Sequence, residues 1–179
     1  QHVEELHDLM LKLNFNRHDK VDRGTYMHNY HRVYGKLLGP ERYKIQNVLE
    51  VGIWTGIGLL TWANYFPNSM VEGVDKLFQW ETKIKRLFEQ DGSYRINLNW
   101  CDTTNEEVLR LHFPPKKYDT YFDVIFDDGN HFASGQMATL INCWQYLKPG
   151  GWYFIEDLTE KFEPSNKLLE YIDTLAEEG

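Results

Sequence analysis

The chain has 179 residues, a formal net charge of -8 and a pI near 5.3. That length suits one domain with a substantial core, and the acidity argues against a nucleic-acid partner, whose phosphates are met by clustered Lys and Arg. No run of about 18 apolar residues and no signal-peptide pattern occurs, so membrane insertion and secretion are unsupported and a cytoplasmic setting is expected.

Val3, Leu6, Met10 and Leu13 recur at helical spacing with charges between them, which predicts an amphipathic helix beside the main fold. Residues 17–39 are polar and aromatic, with His18, Tyr26, His28, Tyr30, His31 and Tyr34, and end at Gly39-Pro40. They read as a lid or helical cap, and Tyr30 as a candidate to cover a cofactor. A zinc site on the three histidines is the weaker reading, because no Cys accompanies them.

From Asn47 a strand-helix alternation begins, the signature of a parallel sheet covered on both faces. Strands are predicted over 48–53, 70–75, 96–102, 122–127 and 151–156. The helices between them show three apolar faces: Leu59, Trp62, Ala63 and Phe66; Leu77, Trp80, Ile84, Leu87 and Phe88; Met137, Leu140, Ile141, Trp144 and Leu147. Lys148-Pro149-Gly150-Gly151 is expected to stop the last helix. Cys101 and Cys143 fit no CxxC or Cys/His zinc spacing and read as buried thiols of a reducing compartment.

The expected fold is therefore α/β, a Rossmann-like doubly wound sheet in one domain over 1–179, with a helical segment at 1–46 and a cofactor-binding core at 47–158. The chain begins at Gln1 and ends in Glu-Glu-Gly, so it is expected to be part of a longer polypeptide with covalently linked domains.

After the first strand stands Glu50-Val51-Gly52-Ile53-Trp54-Thr55-Gly56-Ile57-Gly58, and Asp75 follows Gly52 by 23 positions. Glycines at a strand-to-helix turn let backbone approach a ligand, and an acid ending the second strand can accept both ribose hydroxyls. The spacing G-x-x-x-G-x-G departs from the dinucleotide fingerprint that seats a pyrophosphate. A nucleoside without pyrophosphate, such as S-adenosyl-L-methionine, fits better than NAD.

A second pattern pairs Asp127-Asp128-Gly129-Asn130-His131 with Glu156-Asp157, Asp128 and Glu156 standing 28 positions apart. Each group ends an apolar strand, and neighbouring strands about 4.8 Å apart would bring the carboxylates to one rim. Asp128, Glu156 and Asp157 offer oxygen ligands for Mg²⁺ or Mn²⁺. His131 is the candidate general base, and Asp127 is expected to be structural or turned toward the cofactor. Asp-Gly after a strand is also a common turn, so the rival reading is a set of solvated, capping acids. Trp54, Trp152 and Tyr153 suit sugar stacking or an ordinary core.

NVLEVGIWTGIG, VEGVD, NWCD, FDVIFDDGNH and LKPGGWYFIEDL resemble, strand for strand over 47–158, the class I S-adenosylmethionine-dependent methyltransferases. The DDGNH and IEDL pair, with upstream HDK and HNYHRVY, is similar to the metal-dependent sugar O-methyltransferases that act on macrolides. The resemblance implies a seven-strand sheet, with the methionine end of the cofactor near Gly52 and Gly56, and Glu50 in the same motif. It places the ribose on Asp75 and Asp102 beside the adenine. It also implies a metal-binding Asp128 and a catalytic His131.

Only 22 residues follow Asp157, enough for a helix on Leu168, Leu169, Ile172 and Leu175 but not for the last two strands. A sheet lacking its C-terminal hairpin would leave an edge open to a partner or to oligomerisation. The expected activity is metal-assisted methylation of a hydroxyl on a sugar-bearing small molecule or glycan. The alternatives are an NAD-dependent oxidoreductase or epimerase, and a non-catalytic S-adenosylmethionine-binding module.

Overall fold

The computed structural model describes residues 1–13, 28–77, 85–86, 88–89, 94–158 and 164–178. His18 and Tyr26 lie outside the described residues, as do Trp80, Ile84 and Leu87 of the second predicted face.

Among the described residues, five parallel strands form one sheet in the order β3-β2-β1-β4-β5. They are β1 (Asn47–Val51), β2 (Met70–Asp75), β3 (Ile96–Trp100), β4 (Phe122–Asp127) and β5 (Leu147–Ile155). Successive side chains of a strand point to opposite faces, and here each face of the sheet packs into an apolar core. Val48, Val124 and Phe126 enter one core; Leu49, Val51, Phe122 and Ile125 enter the other.

The first core lies under α1 (His2–Leu13), α2 (Tyr30–Leu38) and α3 (Ile57–Tyr65). Leu6 and Met10, one turn apart on α1, are fully buried, as the helical spacing predicts. Leu59, Trp62, Ala63 and Phe66 are all buried too. Leu60, Thr61 and Tyr65 are buried as well, so α3 is enclosed on most sides, and α1 packs across it. Trp62 stacks on Phe126 with ring centroids 4.0 Å apart. Tyr34 of α2 meets Trp62, Phe126 and Phe154 edge-on at 5.5, 5.0 and 4.9 Å. Those edge-to-face contacts dock the N-terminal cap on the sheet.

The opposite face carries α4 (Glu106–His112), the short α5 (Pro115–Tyr118) and α6 (Ala133–Cys143). Here the sequence expectation is corrected. Ile141 and Trp144 are exposed, while Gln136, Thr139, Leu140 and Cys143 are buried. Partners elsewhere in the fold explain the rotation: Gln136 donates to the Glu156 carbonyl, Thr139 shares a hydrogen bond with Thr103, and Asn142 donates to the Thr103 carbonyl. Once satisfied, these polar side chains can be buried without the desolvation cost that would expose them.

The helix also stops at Cys143, through a 3-10 turn at Trp144–Tyr146, and Lys148-Pro149-Gly150-Gly151 forms the first part of β5. Proline lacks an N–H, and β5 tolerates it as an edge strand whose register shifts opposite Phe122 to Val124. β1 and β3 end two residues earlier than predicted, because Gly52 turns to φ +88° and Asp102 folds back on Thr104. After β5 comes one helix, α7 (Asn166–Glu178), with Leu168 buried. The described residues thus hold five of the seven strands implied by the resemblance. Among them, no helix is long and apolar enough to cross a membrane.

Candidate active site

The carboxyl ends of β1, β2 and β4 are stitched together by backbone. The Gly52 amide donates to the Val74 carbonyl at 2.8 Å, and the Asp128 amide donates to the Val51 carbonyl at 2.9 Å. A Cβ on Gly52 would lie 2.2 Å from the Asp128 carbonyl oxygen, so the position admits only glycine. Asp75 fastens the loop from the other side. Its Oδ2 accepts from the amides of Ile53 at 2.9 Å and Trp54 at 3.4 Å, and its Oδ1 from Leu77 at 2.9 Å. Gly56, at φ +81°, then opens α3.

Above this loop is a cavity of about 740 Å³. Gly52, Asp75, Asp102, Asp128 and His131 line it, as do Lys76 and Cys101. Three carboxylates against one lysine make the lining acidic. Asp102 accepts from both the amide and the hydroxyl of Thr104, at 2.9 and 2.7 Å, and the hydroxyl bond foremost lowers its pKa. Cys101 and Cys143 are free and buried; burial lifts the Cys101 thiol to about 11. Trp54 and Phe132, both exposed, stand among the lining residues.

Four of the predicted cofactor residues lie outside that lining. Glu50 alternates to the opposite face of β1, where it is buried, accepts from Trp62 Nε1 at 3.1 Å and presses on Gly58. Gly56 serves as the start of α3. Asp127 is buried, accepts from the Gly129 amide at 3.3 Å, and is pushed up to about 7, chiefly by burial. Tyr30 belongs to the carboxylate rim instead.

On that rim β4 and β5 are neighbours, with Asp127 level with Ile155. Asp128, His131 and Asp157 converge, one ligand atom from each lying within 4.8 Å of the others. His131 Nε2 is 3.5 Å from Asp128 Oδ1 and 3.7 Å from Asp157 Oδ2. Asp128 foremost raises the imidazole pKa, against partial burial, and Asp157 adds to it. The loop that carries His131 is shaped by Asn130, whose side chain accepts from the Phe132 amide before α6 starts.

Glu156 is arranged differently from its two partners. It is buried, and its Oε1 accepts from the Tyr34 hydroxyl at 2.5 Å, so it stands outside the convergent trio. Its charge and that of Asp128 both act on Tyr34, whose hydroxyl pKa is raised, first by burial. Asp157 is contacted by Tyr30, which donates to Oδ1 at 2.8 Å and accepts from the Asp157 amide at 2.9 Å. Sequence reasoning named Tyr30 only as a candidate to cover the cofactor and gave Tyr34 no part in the site. Their spacing of four on one helix face is the available signal, but it reads equally as packing.

A parallel sheet with a glycine loop after its first strand and an acidic cavity at its carboxyl ends defines the class of α/β domains that hold a nucleoside at that edge. Residues 49–158 match the family described as methyltransferase domain, and the chain belongs to that family. It is 28% identical over 138 residues to L-olivosyl-oleandolide 3-O-methyltransferase of Streptomyces antibioticus, covering 73% of this chain and 33% of that protein. It is 23% identical over 146 residues to mycinamicin VI 2''-O-methyltransferase of Micromonospora griseorubida, covering 78% and 34%. The chain thus spans about a third of the length of the curated relatives it matches.

Among solved structures, the fold is similar to that of MycE methyltransferase from the mycinamycin biosynthetic pathway in complex with Mg and SAH. The TM-score is 0.63 at 22% identity, covering 98% of this chain and 39% of that one. The fold is also similar to that of the SAH-bound Podospora anserina methyltransferase PaMTH1, with a TM-score of 0.57 at 17% identity, covering 87% and 62%.

Proposed function

We propose that this domain transfers a methyl group from S-adenosylmethionine to a sugar hydroxyl of a glycosylated small molecule, with a divalent cation on the carboxylate rim. The observation that carries the reading is that Asp128 and His131 belong at once to the cavity lining and to the convergent trio. A donor pocket and a place for a hard cation therefore share an edge. Support also comes from the names of the relatives, which are sugar O-methyltransferases, and from the Mg bound in the MycE structure.

The chemistry follows from the residues. The acidic lining suits a cationic sulfonium, with Asp75 and Asp102 as cofactor partners and Gly52 allowing close approach. The acceptor oxygen attacks the methyl carbon in line; the O–CH₃ bond forms, the S–CH₃ bond breaks, and its electron pair returns to sulfur as a neutral thioether. His131 takes the hydroxyl proton on its imidazole, which the neighbouring Asp128 carboxylate makes a stronger base. Trp54 and Phe132 offer faces on which a sugar can stack.

Asp128 and Asp157, converging beside His131, fit a hard cation while the imidazole is kept for the proton; Glu156, next to Asp157 in the chain but outside that trio, is the third carboxylate of this reading. Mg²⁺ or Mn²⁺ held there would lower the pKa of the acceptor hydroxyl. Calorimetric titration tests the donor, with S-adenosylmethionine expected to bind and NADH not. Methyl incorporation into a deoxysugar glycoside should require Mg²⁺ and fall at least 100-fold in His131→Gln and Asp128→Asn. Full donor binding with no Mg²⁺ response and no loss in either variant would identify a binding module instead.

A further inference from the structure

We propose that Tyr30 and Tyr34 of α2 are positioning residues that set the Glu156-Asp157 carboxylates for the cation, so that the N-terminal cap is part of the metal site's second layer. This rests on the cation reading above and assigns a role to residues outside the donor cavity.

Asp157 stands at φ +55°, a left-handed conformation that residues with a side chain rarely adopt. Such a conformation persists where its surroundings over-determine it. Tyr30 supplies that constraint through one oxygen, which accepts from the Asp157 amide and donates to Oδ1. His28 approaches the same Oδ1 at 3.4 Å and stacks on the Tyr30 ring with centroids 5.2 Å apart. Oδ1 is thereby engaged from the α2 side, and Oδ2 is the oxygen that faces His131.

Four residues on, Tyr34 repeats the contact with Glu156, and its ring is wedged against Trp62, Phe126 and Phe154. Residues spaced by four share a helix face, so one helix delivers two hydroxyls to two adjacent carboxylates. The wedge fixes the register of that delivery. Outer partners of this kind orient metal ligands, and their loss costs about 10–100-fold in metal affinity. Neither tyrosine lines the donor cavity. The two ligands of the domain should therefore respond differently to the same change.

The test uses the full chain with Mn²⁺ as probe, followed by the loss of the free-ion electron paramagnetic resonance signal, and S-adenosylhomocysteine titrated by calorimetry. Tyr30→Phe and Tyr34→Phe keep the rings and remove only the hydroxyls. Each is expected to weaken Mn²⁺ binding by about 10-fold or more, while S-adenosylhomocysteine affinity stays within about twofold and circular dichroism is unchanged. Wild-type Mn²⁺ affinity in both variants would overturn the proposal, as would parallel loss of both ligands, which marks a merely structural contact. Absence of Mn²⁺ binding by the wild-type chain would instead remove the cation reading, and this inference with it.

Discussion

The donor cavity and the carboxylate rim occupy one edge of one sheet, yet they are made differently. The donor side is largely backbone: a glycine at φ +88°, amides of 53 and 54 fixed on Asp75, and carbonyls of neighbouring strands, all within about one strand-helix-strand unit. The rim is side chains brought from far apart, Tyr30 reaching Asp157 across 127 positions and Tyr34 reaching Glu156 across 122. A site of the first kind is specified locally and arrives with the fold. One of the second kind depends on docking a separate helix, and can be adjusted without disturbing the first.

The largest effect should come where the two regions touch. Gly52→Ala would force its Cβ to 2.2 Å from the Asp128 carbonyl oxygen and 2.9 Å from the Gly129 Cα, in a backbone conformation foreign to alanine. Strain and overpacking together cost on the order of 3 kcal/mol, or a fall in Tm of roughly 6–12 °C. Both Mn²⁺ and S-adenosylhomocysteine binding should be lost together. Gly129→Ala meets a side-chain methyl of Val51 at 2.9 Å, which can move, and its thermal melt should shift less. Equal shifts in the two variants would erase the special role given to position 52.

A pair of milder substitutions separates the regions. Asp75→Asn weakens the anchors of the glycine loop and is expected to cut S-adenosylhomocysteine affinity about 10-fold, the scale of a hydrogen bond to a charged group, with Mn²⁺ binding intact. Asp157→Asn should do the reverse, because Asp157 lies outside the cavity lining. Calorimetry with each ligand on each variant reads this directly, and a variant that loses both ligands would show the regions to be one.

What could be read from the sequence follows the same division. The strand-helix alternation, the glycine loop and the buried face of α3 were all legible, because each depends on residues near one another in the chain. The face of α6 was not. Apolar periodicity pointed to Ile141 and Trp144, whereas hydrogen bonds to Thr103 and to the Glu156 carbonyl bury Thr139, Asn142 and Gln136. Glu50 looked like a cofactor residue from its motif, but strand alternation turns it to the α3 face. The convergence of Asp128 with Asp157 was legible from strand adjacency. The separate placement of Glu156 was not, since it depends on α2.

The smallest expected effect lies at the far end of the donor side, on Asp102. The Thr104 hydroxyl, with its amide, holds that carboxyl below its ordinary value of 3.8, burial opposing and Lys76 assisting. A carboxyl depressed in the folded state adds stability that is fully present above its unfolded pKa and is lost as pH falls through the folded one. Thr104→Val removes the hydroxyl bond and lets the folded value drift back toward 3.8. Because Asp102 is partly exposed, solvent screening limits the difference to less than about 1 kcal/mol at pH 7. Urea melts of the two proteins should therefore be furthest apart at neutral pH and draw together in the acid range below the ordinary carboxylate value. A gap that stayed constant on acidification would show that Thr104 supports the strand end by packing, and not by holding the Asp102 charge.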